Sequence, residues 1–75
     1  QPDWAAIASL SAAERRVTAL LASGKTTNEE IAAALSLSPY TVRSQITSAI
    51  RRLGLSDRTQ LALWGARNRL DTAGP

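Results

Sequence analysis

The sequence contains no cysteine, no histidine, no methionine and no phenylalanine. Without cysteine there is no disulfide framework and no thiol nucleophile. Without histidine as well there is no zinc finger and no imidazole acid–base chemistry. Three Asp and three Glu remain, so hard-metal sites and carboxylate pairs are allowed by count alone and are not expected. Fifteen Ser and Thr supply hydroxyls, but no imidazole exists to activate one and no Gly-rich phosphate loop is present, so no enzyme is expected. No apolar run approaches the roughly 18 residues of a membrane span. No basic segment followed by an apolar core marks a signal peptide. A chain that begins at Gln1 and lacks Met altogether reads as a processed product or, better, as a domain cut from a longer protein.

What is present points to a small helical domain. Seventy-five residues and 8.0 kDa allow one domain, which buries only about 60% of its unfolded surface. Hydrophobic residues make up 44%, but the aromatics are only Trp4, Tyr40 and Trp64. The core must come from Ala, Leu, Ile and Val, a mixture better suited to helices than to sheets. Nine Lys and Arg against six Asp and Glu give a net charge of +3 and a pI near 10.7. Eight of the nine are Arg, the side chain suited to forked contacts with phosphate and guanine.

Four segments carry helix punctuation. Ser11-Ala12-Ala13-Glu14 has the form of a capping box, after which Ala13, Val17, Leu20 and Leu21 make one apolar stripe, and Gly24 supplies a left-handed stop. A second box, Thr27-Asn28-Glu29-Glu30, opens a short helix with Ile31, Ala32 and Leu35 on one side, ending near Ser36. Ser38 followed by Pro39 predicts a third start. Val42, Ile46, Ala49, Ile50 and Leu53 then recur at helical spacing up to Gly54. Ser56 or Asp57 caps a fourth helix, with Leu61, Ala62, Trp64 and Gly65 towards one side. Residues 1–9 are read as a linker or N-terminal extension whose Trp4 and Ile7 either dock on the core or do not. Residues 10–70 form the domain, and 71–75 read as a flexible tail. The expected fold is all-α, with four helices.

Charge is divided unevenly. Residues 1–42 hold three bases and four acids, a net of −1, whereas 43–69 hold six Arg against Asp57, a net of +5. With its apolar stripe inward, the third helix turns Tyr40, Ser44, Thr47, Ser48 and Arg51 outward, with Arg43 on the flank. No acid occurs between Glu30 and Asp57. A merely solvated helix mixes both signs for i,i+4 pairing. A face of hydroxyls and Arg suits the DNA major groove. Composition alone supports a positively biased surface helix about equally well. The arrangement of a short helix, the turn Ser36-Leu37-Ser38 and a longer helix is that of a helix-turn-helix, which shifts the balance towards DNA.

The stretches LSAAERRV at 10–17, NEEIAAALSLSPYTVRSQI at 28–46 and RRLGLSDRTQL at 51–61 resemble the LuxR-type DNA-binding domain of bacterial response regulators and quorum-sensing regulators. The likeness covers about two-thirds of the chain, in the family's order. Two departures are a loop one residue longer, at Lys25-Thr26-Thr27, and Gln45 where the family often has His. The resemblance implies that Arg43, Ser44 and Thr47 face base edges. It places Thr41, Tyr40, Arg51, Arg52 and Arg58 towards phosphates. Local alternatives stand beside these roles: Thr41 as a cap for a backbone N–H, Arg52 as cover for Leu53, Arg58 as a partner of Asp57. The fourth helix resembles the one through which these domains pair. Turning Leu61, Trp64, Gly65 and Asn68 inward leaves Thr59, Leu63, Ala66, Arg67 and Leu70 as the dimer face. The expected partners are double-stranded DNA, a second copy of the chain and, left open, RNA polymerase. No membrane, metal or organic cofactor is implied, and the expected location is the bacterial cytoplasm. Two rival readings remain: the promoter-reading region of a sigma factor, which resembles 11–53, and a helical adaptor for an acidic protein.

Overall fold

A computed structural model describes residues 2–25 and 27–70. Five helices run through them: α1 Trp4–Ser9, α2 Ala12–Ala22, α3 Asn28–Leu35, α4 Pro39–Leu53 and α5 Arg58–Arg67. No strand occurs among the described residues. The last four helices are those the punctuation predicts, and α1 is an addition in front of them. The putting-together of residues 71–75 as a tail lies outside the described residues.

Each start is secured by a side chain of the predicted kind. Ser11 Oγ accepts from the Glu14 N–H while Glu14 Oε1 accepts from the Ser11 N–H, and Thr27 and Glu30 repeat that exchange. Ser38 and Asp57 cap α4 and α5 by accepting from the N–H groups of Thr41 and Gln60. Each such cap satisfies one of the free donors at a helix start, typically worth about 1 kcal/mol. The stops are equally local at Gly24 and Gly54, both at positive φ. At Gly54 the N–H groups of Gly54 and Leu55 donate back to Arg51 and Ile50 and close the last turn of α4.

One core joins all five helices. Ile7 and Leu10 come from the α1 segment, Val17 and Leu21 from α2, Ile31 and Ala32 from α3, Val42, Ile46 and Ala49 from α4, and Leu61 and Trp64 from α5. Ile7 therefore docks, whereas Trp4 stays 64% exposed. The α1 segment is also tied down by a polar contact across the whole chain. The Asp3 N–H donates to Asn68 Oδ1 at 2.6 Å, and Asn68 Nδ2 donates to the Trp64 carbonyl at 2.9 Å.

The most extensive helix contact is α2 against α5, and Gly65 makes it close. A Cβ built at Gly65 would lie 3.0 Å from Ala22 Cβ and 3.1 Å from Thr18 Cγ2. Gly65→Ala gains about 1 kcal/mol of helix propensity but overpacks a rigid contact, which typically costs about 1–3 kcal/mol. Ala22 has no rotamer to change, so the packing loss dominates. The expected result is a melting temperature a few degrees below that of the parent in a thermal scan. A rise would show that α2 and α5 separate freely.

One placement differs from expectation. Leu70 is not on the outer face of α5, because the helix ends before it. Arg69 adopts a left-handed φ of 60°, and the N–H groups of Arg69 and Leu70 donate back to Ala66 and Gly65. That reversal folds Leu70 partly against the core.

Candidate nucleic-acid interface

The turn between α3 and α4 is built by two short side chains. Ser36 takes the left-handed conformation, φ 57° and ψ 43°, that ends α3, and the Leu37 N–H closes onto the Ala32 carbonyl at 2.9 Å. Ser38 then caps α4, with Pro39 at its first position. Thr41 shares this cap: its N–H and hydroxyl both meet Ser38 Oγ, at 3.1 and 3.0 Å. Packing of Ile31 and Ala32 against the Val42 and Ile46 side of α4 fixes which face is left outside.

That outer face matches the predicted rotation. Val42 and Ala49 are fully buried and Ile46 nearly so. Tyr40, Arg43, Ser44, Thr47, Ser48 and Arg51 are exposed and together line one shallow, open depression. None of these six side chains is engaged by a hydrogen bond or ion pair with another described residue. Tyr40 is 77% exposed. The acids nearest in sequence are already committed: the Glu30 carboxylate accepts the Thr27 N–H, and the Asp57 carboxylate caps α5. Among the described residues no acid pairs with the guanidinium groups of this face. The face also begins at a helix N-terminus, whose dipole favours anions.

Arg52 and Arg58 are placed differently. Arg52 turns back towards α2, where its Nε donates to Glu14 Oε1 at 3.0 Å, and its side chain is half exposed. Glu14 itself is 3% exposed. Burial pushes the Glu14 carboxyl upward, but the Ser11 N–H and the Arg52 guanidinium outweigh it and hold the group below its ordinary value. Arg58 reaches α3. Its Nη1 donates to Asn28 Oδ1 and joins the starts of α5 and α3. Both contacts, at separations of 38 and 30 residues, escaped sequence reasoning, since no local pattern signals them.

On α5, Leu61, Trp64, Gly65 and Asn68 are buried as expected, and Thr59, Leu63, Ala66 and Arg67 are exposed. Leu63 is 48% exposed, and with Leu70 folded inward this outer face is smaller and less apolar than the periodicity implies.

The sequence profile of bacterial regulatory proteins of the luxR family matches residues 8–64. The chain belongs to that family. The match decides between the two resemblances in favour of the LuxR type, and this family is one of transcriptional regulators rather than enzymes. Over 62 residues the chain is 42% identical to the transcriptional regulatory protein LiaR of Bacillus subtilis, a stretch that covers 83% of this chain and 29% of LiaR. It is 40% identical over 63 residues to the HTH-type transcriptional regulator YhjB of Escherichia coli, whose assignment is provisional, covering 84% of this chain and 31% of that protein. The chain thus spans about 30% of the length of these relatives. No solved structure matches it. This luxR-family chain is a helix-turn-helix DNA-binding domain, with α3 and α4 as the two helices of the motif. No described helix is long and apolar enough to cross a membrane.

Proposed function

We propose that this domain binds double-stranded DNA sequence-specifically, with α4 in the major groove, and does so as a homodimer paired through α5. In this reading it is the DNA-binding output domain of a larger cytoplasmic regulator. The observation that carries the proposal is the outer face of α4: exposed, free of acids, and lined by hydroxyls and two Arg that no other described residue engages. Arg43, Ser44 and Thr47 face base edges. Tyr40, Thr41, Arg51, Arg52 and Arg58 lie towards the backbone, with Arg52 and Arg58 held from behind by Glu14 and Asn28. Two-fold pairing sets two α4 helices about 34 Å apart, one turn of DNA.

The first test is electrostatic. If each subunit neutralises about three or four phosphates, a dimer releases counterions with a log–log slope of roughly −5 to −7 in duplex binding against salt. A slope near zero would remove the phosphate contacts from the proposal.

Pairing is tested on its own by Leu63→Glu, which sets like charges against each other across the two-fold axis. The side chain is half exposed, so helical content and melting should be unchanged within error, while cooperative binding to two half-sites is lost. Unfolding of the variant would instead make Leu63 part of the core.

A further inference from the structure

The six side chains on the outer face of α4 differ in what they can tell apart, and that difference constrains the DNA. Among Tyr40, Arg43, Ser44, Thr47, Ser48 and Arg51 there is no carboxylate and no carboxamide. The one amide nearby, Gln45, is half-buried and does not line the depression. A carboxamide is the group that reads adenine by two hydrogen bonds, and a carboxylate is the one that accepts from cytosine. Neither base can be fixed here in that way. Hydroxyls donate or accept and so discriminate poorly. Arg43 is the side chain in the first two turns able to fork onto one base, and its partner is guanine.

Thr47 adds a second, weaker criterion. It lies four residues after Arg43, about 6 Å along the helix axis, which corresponds to one or two base-pair steps of 3.4 Å. Ser44 and Ser48 beside it are short, so the helix can approach closely at this point. The γ-methyl of Thr47 is the aliphatic group on this part of the face, and its natural partner is the thymine methyl. Tyr40 sits at the start of α4, about 10 Å along the axis from Thr47, and so belongs to another part of the face.

We infer that each half-site bound by this domain contains a single near-invariant G·C pair, read by Arg43, with an A·T pair favoured one or two steps away because Thr47 packs on the thymine methyl. The inference rests on the proposed binding of α4 in the major groove. One forked contact discriminates by about 5- to 150-fold, less than the thousand-fold or more that typically separates specific from non-specific binding. A single half-site is therefore insufficient, and specificity requires two of them or DNA shape in addition.

Selection of duplexes from a random pool by the 75-residue chain tests this directly. The expected result is one dominant G·C position per half-site and a weaker A·T preference one or two pairs from it. Two or more invariant pairs per half-site, or an invariant A·T pair with no fixed guanine, would overturn the inference while leaving DNA binding intact. Retention of no duplex above background would overturn the DNA reading itself, and this inference with it. The methyl contact has its own readout. Replacing the preferred thymine by uracil deletes one methyl group and should weaken binding by roughly four-fold. In Thr47→Ser, which keeps the hydroxyl and lacks the methyl, the same replacement should change affinity less than about two-fold. Equal losses in the two proteins would show that Thr47 does not meet the thymine.

Discussion

Arg43→Ala will weaken binding to the selected site far more than binding to scrambled DNA, by about 1–3 kcal/mol of lost discrimination. Arg43 lies in the second turn of α4, the part of a reading helix that enters the groove most deeply. Its guanidinium is exposed and has no acidic partner among the described residues, so none of them competes with a guanine for it. Arg51 stands two turns later, where a helix leaving the groove passes a phosphate. Arg51→Ala should reduce affinity for both DNAs about equally and lower the salt slope by roughly one unit. Neither residue touches the core, so each change should alter stability by no more than about half a kcal/mol. Binding isotherms for both variants on both DNAs decide the matter. Equal losses on the two DNAs for Arg43→Ala would make it another phosphate contact, and specificity would then lie with Ser44, Thr47 or DNA shape.

Glu14→Ala is expected to have the largest effect on stability, about 2–3 kcal/mol. Its buried carboxylate receives two hydrogen bonds, from the Ser11 N–H at 2.8 Å and from Arg52 Nε at 3.0 Å, and bonds to a charged group are worth about 1.5–3 kcal/mol each. Arg52 is half exposed and regains water when released, which keeps the total below the simple sum. For a domain of this size the melting temperature should fall by roughly 10–20 °C. Arg52→Ala should show part of that loss, since it strands the carboxylate, whereas Arg51→Ala should not.

Acid makes the same point with the chain intact. Glu14 is held below its ordinary value in the folded state, so the folded protein binds fewer protons than the unfolded one in that range. The stabilisation is present above the unfolded value and is lost as pH falls through it towards the lower folded value. Comparing thermal melts at pH 7 and pH 3 should show a smaller drop for Glu14→Gln than for the parent. The two proteins differ at that one group and share every other carboxylate. Identical drops would mean that Glu14 is not the depressed group.

The helices and their rotations were legible in the sequence because their determinants are local. A cap acts within three residues, a glycine stop within a few more, and an apolar stripe repeats within a turn. Ser11, Thr27, Ser38 and the pair Ser56-Asp57 thus marked the starts of α2 to α5, and the structure selects Asp57 for the last. The outer face of α4 followed from the position of Val42, Ile46 and Ala49, since the side opposite that buried stripe must face away from the core. What the tertiary structure decided involves partners far apart in the chain or a backbone conformation that composition does not announce. Whether residues 1–9 dock depended on Asn68, 65 residues away from Asp3. Arg52 and Arg58 read as phosphate contacts, with Leu53 and Asp57 as local alternatives, yet Glu14 and Asn28 engage them, because the folding of α2 and α3 against α4 and α5 brings those groups within reach. Leu70 continued the helical period on paper, but Arg69 turns left-handed without being a glycine, and that reversal partly buries what periodicity would expose. Short-range geometry specifies the elements and their faces, and only the packed chain determines which charged side chains are left to meet a partner.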